Sequence, residues 1–511
     1  MNNGLIKKYF IIAGAAANIV FLSAVMAAYL FLDMPVNLAL SKVVNSLAAK
    51  DESYFRNAGK VLGHFVYDEN IRALEEQKSK WLLSSAASPS QKYSRQRYDD
   101  FGRPLIAKPG FFLPPSGWRR VIVSNEKELL KAIKSAKPGD VISLTAGRYK
   151  LSGQSIPVTQ SGTSQKPVYV RSSRFGDVII EMNTLEGFHV KAPFWVFENL
   201  DLQGVCSSDG ECEHAFHVIG KGHSFVLRNS RLSNFNASIK VNGINLKRSG
   251  IFPDNGLLQG NIFVNTHVRD TKNPVTLINI NSVNNWVVRG NLIADFAKGK
   301  GDRVSYAAFM KGNGKNGIFE QNMVICEYLI PRDDGVRIGL SLGGGGTGSS
   351  YCRNKNCSVE HSNGIIRNNI IMNCSRDVGI YLNRSKKSLI YNNLLHNTLG
   401  IDVRFSSSSA NIVNNLVAGR LKSRDGGVII EKNNIIDKNC IGYRRRGCSF
   451  DSLFQSPDDG DFRLKSIENS IFGAGIMVQG LGEDFCGQIR QESEIDMGPI
   501  QYSKGLECLQ P

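Results

Sequence analysis

Three asparagine pairs, Asn368-Asn369, Asn392-Asn393 and Asn414-Asn415, constrain this chain more than any other feature. They recur 24 and then 22 residues apart, each inside a short apolar run. Between them lie two further β-type runs, Gly379-Ile-Tyr-Leu and Gly400-Ile-Asp-Val, and no helical periodicity. A repeat of this length, with short strands only, is the signature of a β-solenoid. One coil cannot bury its own apolar face, so coils must stack. A buried amide persists only when bonded, and an Asn at one corner of each coil can bond both the turn backbone and the Asn of the next coil.

The pattern extends in both directions. Asn199, Asn229, Asn261, Asn291 and Asn322 precede the pairs at spacings of 30, 32, 30 and 31 residues, and Asn434 follows them. The fold class expected is all-β, a right-handed parallel β-helix of roughly ten coils at ~20–30 residues each. A β-sandwich would need turn signals every ~8–12 residues and strict alternation, and neither is present. The solenoid is expected over 116–475, with a C-terminal tail over 476–511.

Residues 9–32 carry no formal charge, and Asn18 and Ser23 are their only distinctly polar members. That length suffices to span a bilayer, and Lys7 and Lys8 place the N-terminus in the cytoplasm. The expectation is a single-pass inner-membrane anchor over 1–32 with the solenoid in the periplasm. The alternative is a secreted protein cleaved near Val25-Met-Ala27. Residues 33–115 read as a helical stalk followed by a small-polar and then proline-rich linker.

The net charge is +17, which suits an anionic partner. A membrane anchor argues against nucleic acid, leaving an acidic polysaccharide, with the inner membrane as the other partner. Cys206 and Cys212, Cys352 and Cys357, and Cys440 and Cys448 each bracket a polar loop, and Cys486 and Cys508 lie in the tail. No C-x-x-C pair occurs, so disulfides in an oxidising compartment are expected rather than a metal cluster. Cys326 and Cys374 follow Asn322 and Asn369 at similar offsets, as stacked buried thiols or a bridge.

Asn125 and Glu128 have the spacing of a helix N-cap and its partner, and Leu129, Leu130, Ile133 and Ala136 form one face of the helix that would follow. Such a helix would close the apolar end of the first coil. The stretch from there, AIKSAKPGDVISLTAGRYK, then GTSQKPVYVRSS, then FGDVIIE, resembles the opening of the chondroitinase B and alginate lyase family of polysaccharide lyases. The resemblance covers about 121–181 and implies a β-helix that cleaves a uronic acid polymer by β-elimination. Near the far end, DGDFRLKSIENSIFGAG resembles the closing segment of many bacterial β-helix proteins, which speaks to fold alone.

Elimination needs a group to neutralise the carboxylate beside C5, a base for the C5 proton, and help for the leaving oxygen. In the resembled family these come from an Arg-Ile-Gly-x-Ser strand, a coil with acidic calcium ligands, an Asn-Lys-Ser carrying the base, and an Arg about twenty residues later. The matching residues here are Arg337-Ile338-Gly339-Leu340-Ser341, Asn383-Arg384-Ser385 and Arg404. The resemblance thus implies Arg384, Arg404 and Arg337 as catalytic. Arg replaces the family's Lys at 384, and freeing an arginine lone pair at pH 7 costs roughly 7 kcal/mol. Asp377 matches one calcium position, while Gly379 stands at the second, so calcium is implied only incompletely. Asp377, Asp402, Lys311 and Asn383 are the substrate-binding candidates. Arg384 and Arg404 are expected as an outward cluster with Asp402, and Arg337 as coplanar with them.

Other features carry less. His214 and His217 have opposite strand parity, so one packed and one exposed ring is expected. Lys311, Lys315, Arg332 and Arg337 could form a basic stripe. Asp333-Asp334 has the look of a hydrolase acid pair without a supporting motif. Gly343 to Gly346 lacks a following Lys-Ser/Thr and reads as a groove edge. The function expected is a lyase on an acidic polysaccharide. The alternatives are a non-catalytic polysaccharide-binding module, a C5-epimerase or a glycoside hydrolase on the same scaffold.

Overall fold

The computed structural model describes residues 97–98, 104–105 and 117–502, apart from 246–249, 331–334, 345, 442–443, 446–447, 479 and 491–493. The expected anchor, most of the stalk, Arg332, Asp333, Asp334 and Cys508 lie outside the described residues. Among the described residues no helix is long and apolar enough to cross a membrane.

The chain winds through three long faces, of twelve, eleven and ten strands, visiting them in that order in each turn. Within every face each strand pairs in parallel with its counterpart one turn earlier and one turn later. This is a parallel β-helix. The inward positions form one continuous core. Phe188, Phe197, Phe216, Phe225 and Trp286 fill its early coils, and Leu340, Leu382, Ile390, Leu395 and Val403 the later ones.

The asparagines do what a polar repeat inside an apolar stack must do. The turn between the twelve- and eleven-stranded faces has two residues. The first is left-handed at Asn368, Asn392 and Asn414 (φ +52°, +52° and +56°), and Gly260 and Gly290 take that place earlier. The second residue points inward and builds a ladder. Asn322 Nδ2 donates to Asn369 Oδ1 at 2.9 Å, Asn369 to Asn393 at 2.9 Å, and Asn393 to Asn415 at 2.9 Å. Each rung also donates to a backbone carbonyl of an earlier strand. The irregular spacing of 32 residues now has a reason. Asn199 and Asn229 hold the left-handed position (φ +59° and +46°), whereas Asn261 holds the inward one, so the two stretches count different residues of the same turn.

A helix at Glu126–Lys134 closes the first coil. Asn125 Oδ1 accepts from the Glu128 N–H at 3.0 Å, while the Glu128 carboxylate accepts from the Ser124 N–H at 2.8 Å. Leu129 and Ile133 are buried as expected. Leu130 is exposed, and Ala132 takes its place on the packed face.

The three faces end at Asp437, short of 475. Beyond it the chain forms an antiparallel pair, Phe454–Ser456 with Asp461–Leu464, and returns along the asparagine corner. There Asn368 donates to the Glu483 carbonyl, Asn392 to those of Asp496 and Gly498, and Asn414 to that of Ile476. The outer asparagines of the pairs thus bind the tail, while the inner ones hold the coils.

Disulfides join Cys206 to Cys212, Cys352 to Cys357 and Cys440 to Cys448, as the loops suggested. Cys326 and Cys374 are bridged rather than free, tying two consecutive coils. Cys486 is disulfide-bonded as well.

Candidate active groove

The ten-stranded face carries most of the candidate residues. Along it Val218, Val241, Ile280, Met310, Leu342, Leu382 and Val403 turn into the core. Alternation therefore sends their neighbours outward, and the parallel register stacks those neighbours in columns. One column runs His189, His217, Lys240, Asn279, Phe309, Ser341, Tyr381, Asp402 and Lys422. Two residues on, in the second column, Asn281 stacks with Lys311, and Asn383 with Arg404 and Arg424, with Gly343 just past its strand end between the two groups. Successive members stand one strand spacing, ~4.8 Å, apart.

Lys240 and Lys311 occupy the middle of this surface. Lys240 Nζ donates to Asn279 Oδ1 at 3.0 Å. Burial and then the charge of Lys311 bring the Lys240 ammonium down to about 8, against the pull of Glu213. Burial also lowers Lys311, whose Nζ lies 4.5 Å from the centre of the Phe309 ring. Glu360 opposes that shift. It is wholly buried and accepts from Thr347 Oγ1 at 3.0 Å. Two amines that raise each other's cost of protonation make it natural for one to be free while the other stays charged.

Gly343, from the glycine-rich run, makes room in the second column. Its φ is +74°, and a Cβ there would lie 1.8 Å from the Asn383 carbonyl oxygen. The run thus brings the chain flush against the groove floor between Lys311 and Asn383.

The arginines expected to be catalytic fall further along. Arg404 and Arg384 both approach the ring of Phe405, with guanidinium carbons 4.5 and 5.3 Å from its centre. They are therefore no further apart than a Debye length, about 10 Å at 0.1 M salt. Arg404 donates to Asp425 at 2.6 Å. That bond, and then Tyr381, raise its pKa, so Arg404 is a permanent cation. Asp402 shares the outward face with Arg404 as parity required. Its carboxylate binds Arg424 Nη2 at 2.6 Å instead; Arg424 follows Arg404 in the second column and reaches diagonally across to Asp402. Asn383 Nδ2 donates to the Tyr381 hydroxyl at 3.1 Å.

Arg337 is not part of this cluster. It is 3% exposed and donates to the carbonyls of Cys326 at 3.2 Å and Ile330 at 3.0 Å. It stands in register with Ser305 one coil back and Val275 two coils back, and Val275 lies in the core, so Arg337 does not face the groove and coplanarity with Arg384 and Arg404 fails. The basic stripe fails with it, since Lys315 stands exposed on a separate short strand pair at the turn. Asp377 is held above the usual carboxylate range by burial, with the charge of Asp402 adding and the Val378 N–H and Arg424 opposing. Among the described residues no third His, Cys or carboxylate joins it in a metal-sized group. His214 and His217 do meet, with ring centres 5.4 Å apart. His214 precedes the strand Phe216–Ile219, so strand parity does not govern it.

Lys240 escaped sequence reasoning. It sits in an ordinary strand, Ile239–Asn242, and only the register reveals that Asn279 is its neighbour.

The chondroitinase B family model matches residues 123–191. Among solved structures, pectate lyase Pel9A is similar with a TM-score of 0.49 and 14% identity, over 73% of this chain and 90% of that one. A rhamnogalacturonan lyase has a TM-score of 0.42 and 13% identity, over 76% of this chain and 98% of its own. An alginate lyase from Paenibacillus sp. str. FPU-7 has 0.37 and 16%, over 62% and 99%. The curated proteins give no match. The matched family segment is the opening of the solenoid. It includes Glu186 and His189 and ends before Lys240, so the likeness to chondroitinase B rests on the coils that begin the groove.

Proposed function

We propose that this protein is a lyase that binds an acidic polysaccharide along the ten-stranded face and cleaves it by β-elimination at Lys240. The observation that carries the reading is the pairing of Lys240, lowered toward neutrality, with a second amine, Lys311, on the same outward surface. In this reading Lys240 Nζ takes the proton from C5, the C4–O bond breaks as the C4=C5 double bond forms, the leaving oxygen takes a proton from water or from the Lys240 ammonium just formed, and the Lys311 ammonium neutralises the carboxylate on C5. Removing a proton beside a carboxylate is difficult because charge builds on its oxygens, and a fixed cation there lowers the barrier. Arg384, Arg404 and Arg424 serve as subsites for carboxylates further along the polymer, with Asp402 and Asn383 orienting the cluster. Along the backbone stack Lys240 and Lys311 are two strand steps apart, and Lys311 and Arg404 three, ~14 Å, so the arginines are assigned to neighbouring sugars.

The protein is further proposed to be anchored by residues 9–32 with its solenoid outside the cytoplasm. Bridged cysteines distributed through the solenoid favour an oxidising compartment. Protease digestion of intact and opened spheroplasts tests this; a solenoid protected in intact spheroplasts and cleaved only once they are opened would overturn it.

The function is tested by incubating the full-length protein with alginate, pectate and chondroitin and analysing chain ends. Unsaturated ends from one polymer are expected. Saturated reducing ends would mean hydrolysis. Unchanged chain length with C5 deuterium uptake from heavy water would mean epimerisation. Binding without any of these would mean a non-catalytic module.

A further inference from the structure

The first groove column begins with two histidines that the elimination chemistry leaves unused. His189 and His217 are direct partners on adjacent parallel strands. Their rings lie parallel, 11° between planes and 4.9 Å between centres, so like atoms point the same way. Glu186 lies in the turn just before the strand Phe188–Val190 and brings one oxygen to both rings. Its Oε2 is 3.5 Å from His189 Nδ1 and 3.5 Å from His217 Nδ1. The three ligand atoms all lie within 4.8 Å of one another.

The two carboxylate–nitrogen distances are longer than good hydrogen bonds and close to the spacing of two ligands on one ion, whereas the parallel rings have to tilt toward each other for both Nδ1 atoms to reach it. A nitrogen–oxygen hydrogen bond has its optimum near 2.9 Å. Two ligands on a tetrahedral ion at ~2.0–2.1 Å stand ~3.4 Å apart. The proton positions agree. His217 Nε2 is 2.7 Å from Asn242 Oδ1. If the Asn oxygen faces the ring, it accepts a proton from Nε2, which leaves a lone pair on Nδ1. His217 Nδ1 is buried and has no hydrogen-bond partner. A lone pair and a carboxylate oxygen then face each other, an arrangement that a cation between them relieves.

We propose that Glu186, His189 and His217 form a site for a divalent transition cation of the zinc class, with an open fourth position facing the groove. Two imidazoles and one carboxylate suit zinc or its neighbours and do not suit calcium, which takes six to eight oxygens. Asn242 is a positioning residue that fixes the His217 tautomer, the usual task of an outer partner. His217 is also the direct strand partner of Lys240, so the open position would meet a water or a polysaccharide oxygen next to the proposed base. The site stands independently of whether the protein is a lyase.

The experiment is a Co²⁺ titration of metal-free full-length protein followed by visible d–d absorption, with Zn²⁺ competition. No free cysteine occurs among the described residues, so thiolate binding does not compete there. One equivalent of Co²⁺ should bind with a tetrahedral spectrum and be displaced by Zn²⁺. His189→Ala and His217→Ala should each weaken binding at least 100-fold, and Asn242→Ala about tenfold. X-ray absorption of the Zn²⁺-loaded wild type should show two imidazole nitrogens, which settles the matter if a histidine variant does not fold. Failure of the wild type to bind Co²⁺ or Zn²⁺, binding unchanged in the double histidine variant, or an oxygen-only shell would each overturn the proposal.

Discussion

Replacing Lys240 separates a base from a bystander. With its ammonium brought down to about 8, about one Lys240 in ten is a free amine at pH 7, against roughly one in 2,500 for an ordinary lysine. The groove therefore supplies on the order of 250 times more base than an exposed lysine would. A base acts in its neutral form, so kcat/KM should rise close to tenfold per pH unit below about 8 and level off above it. Lys240→Ala should lose 10²–10⁴-fold. Lys240→Arg should lose as much, because an arginine stays protonated across the accessible range. Lys311→Met removes the neighbouring positive charge, so it should move the inflection upward while weakening substrate binding. Initial rates across pH, with circular dichroism to confirm folding, provide the assay. A Lys240→Ala enzyme retaining more than a tenth of the activity would refute the assignment, as would a wild-type profile that falls between pH 6 and 8.

Further predictions follow from the same coordinates. Asn369→Ala removes five side-chain hydrogen bonds and should cost about 4–6 kcal/mol at ~1 kcal/mol per bond, whereas Asn434→Ala, at the partly exposed last rung, should cost about half of that; urea unfolding with disulfides intact measures both. Arg404→Ala should weaken binding of a uronic polymer by about 1 kcal/mol, roughly fivefold, and lower the slope of affinity against salt in a titration series. Asp295 is fully buried and accepts from the N–H groups of Tyr328, Leu329 and Ile330, yet burial still raises it to about 6. A carboxyl raised in the folded state favours folding below its ordinary range and loses that contribution as pH climbs toward about 6. Asp295→Asn removes the titrating group and should therefore flatten the dependence of stability on pH between about 4 and 6, while the acceptor oxygen it loses should cost about 1–3 kcal/mol at low pH, as thermal unfolding at several pH values would show.

The fold was legible because one kind of residue, an inward Asn, recurs at the same corner of each coil from Asn261 to Asn434. Its identity survives changes in coil length, as the 47-residue step from Asn322 to Asn369 shows. The groove was only half legible for the converse reason. Lys240 and Asn279 are 39 residues apart and hydrogen-bonded, while His217 and His189 stack across a different loop length. Loops of unequal size hide which outward residues become neighbours. Arg404 and Asp402 were placed by parity within one strand, where no loop intervenes. Their salt-bridge partners, Asp425 and Arg424, come from the coil beyond and its following turn. Arg337 matched a motif and still lies buried, because it aligns with the core residue Val275 two coils back, where the strand start departs from the alternation set by Leu340 and Leu342. Leu130 shows the same limit on the helix, where a broad apolar face overstates what the first coil can cover.

The most direct test of the account is a crystal structure of the Lys240→Ala protein with an oligosaccharide of the polymer it binds. The account predicts sugar along the ten-stranded face, with a carboxylate within hydrogen-bond reach of Lys311 Nζ and the adjacent C5–H facing the space vacated at residue 240. Sugar bound on either of the other two faces, or with its C5 turned away from residue 240, would contradict it.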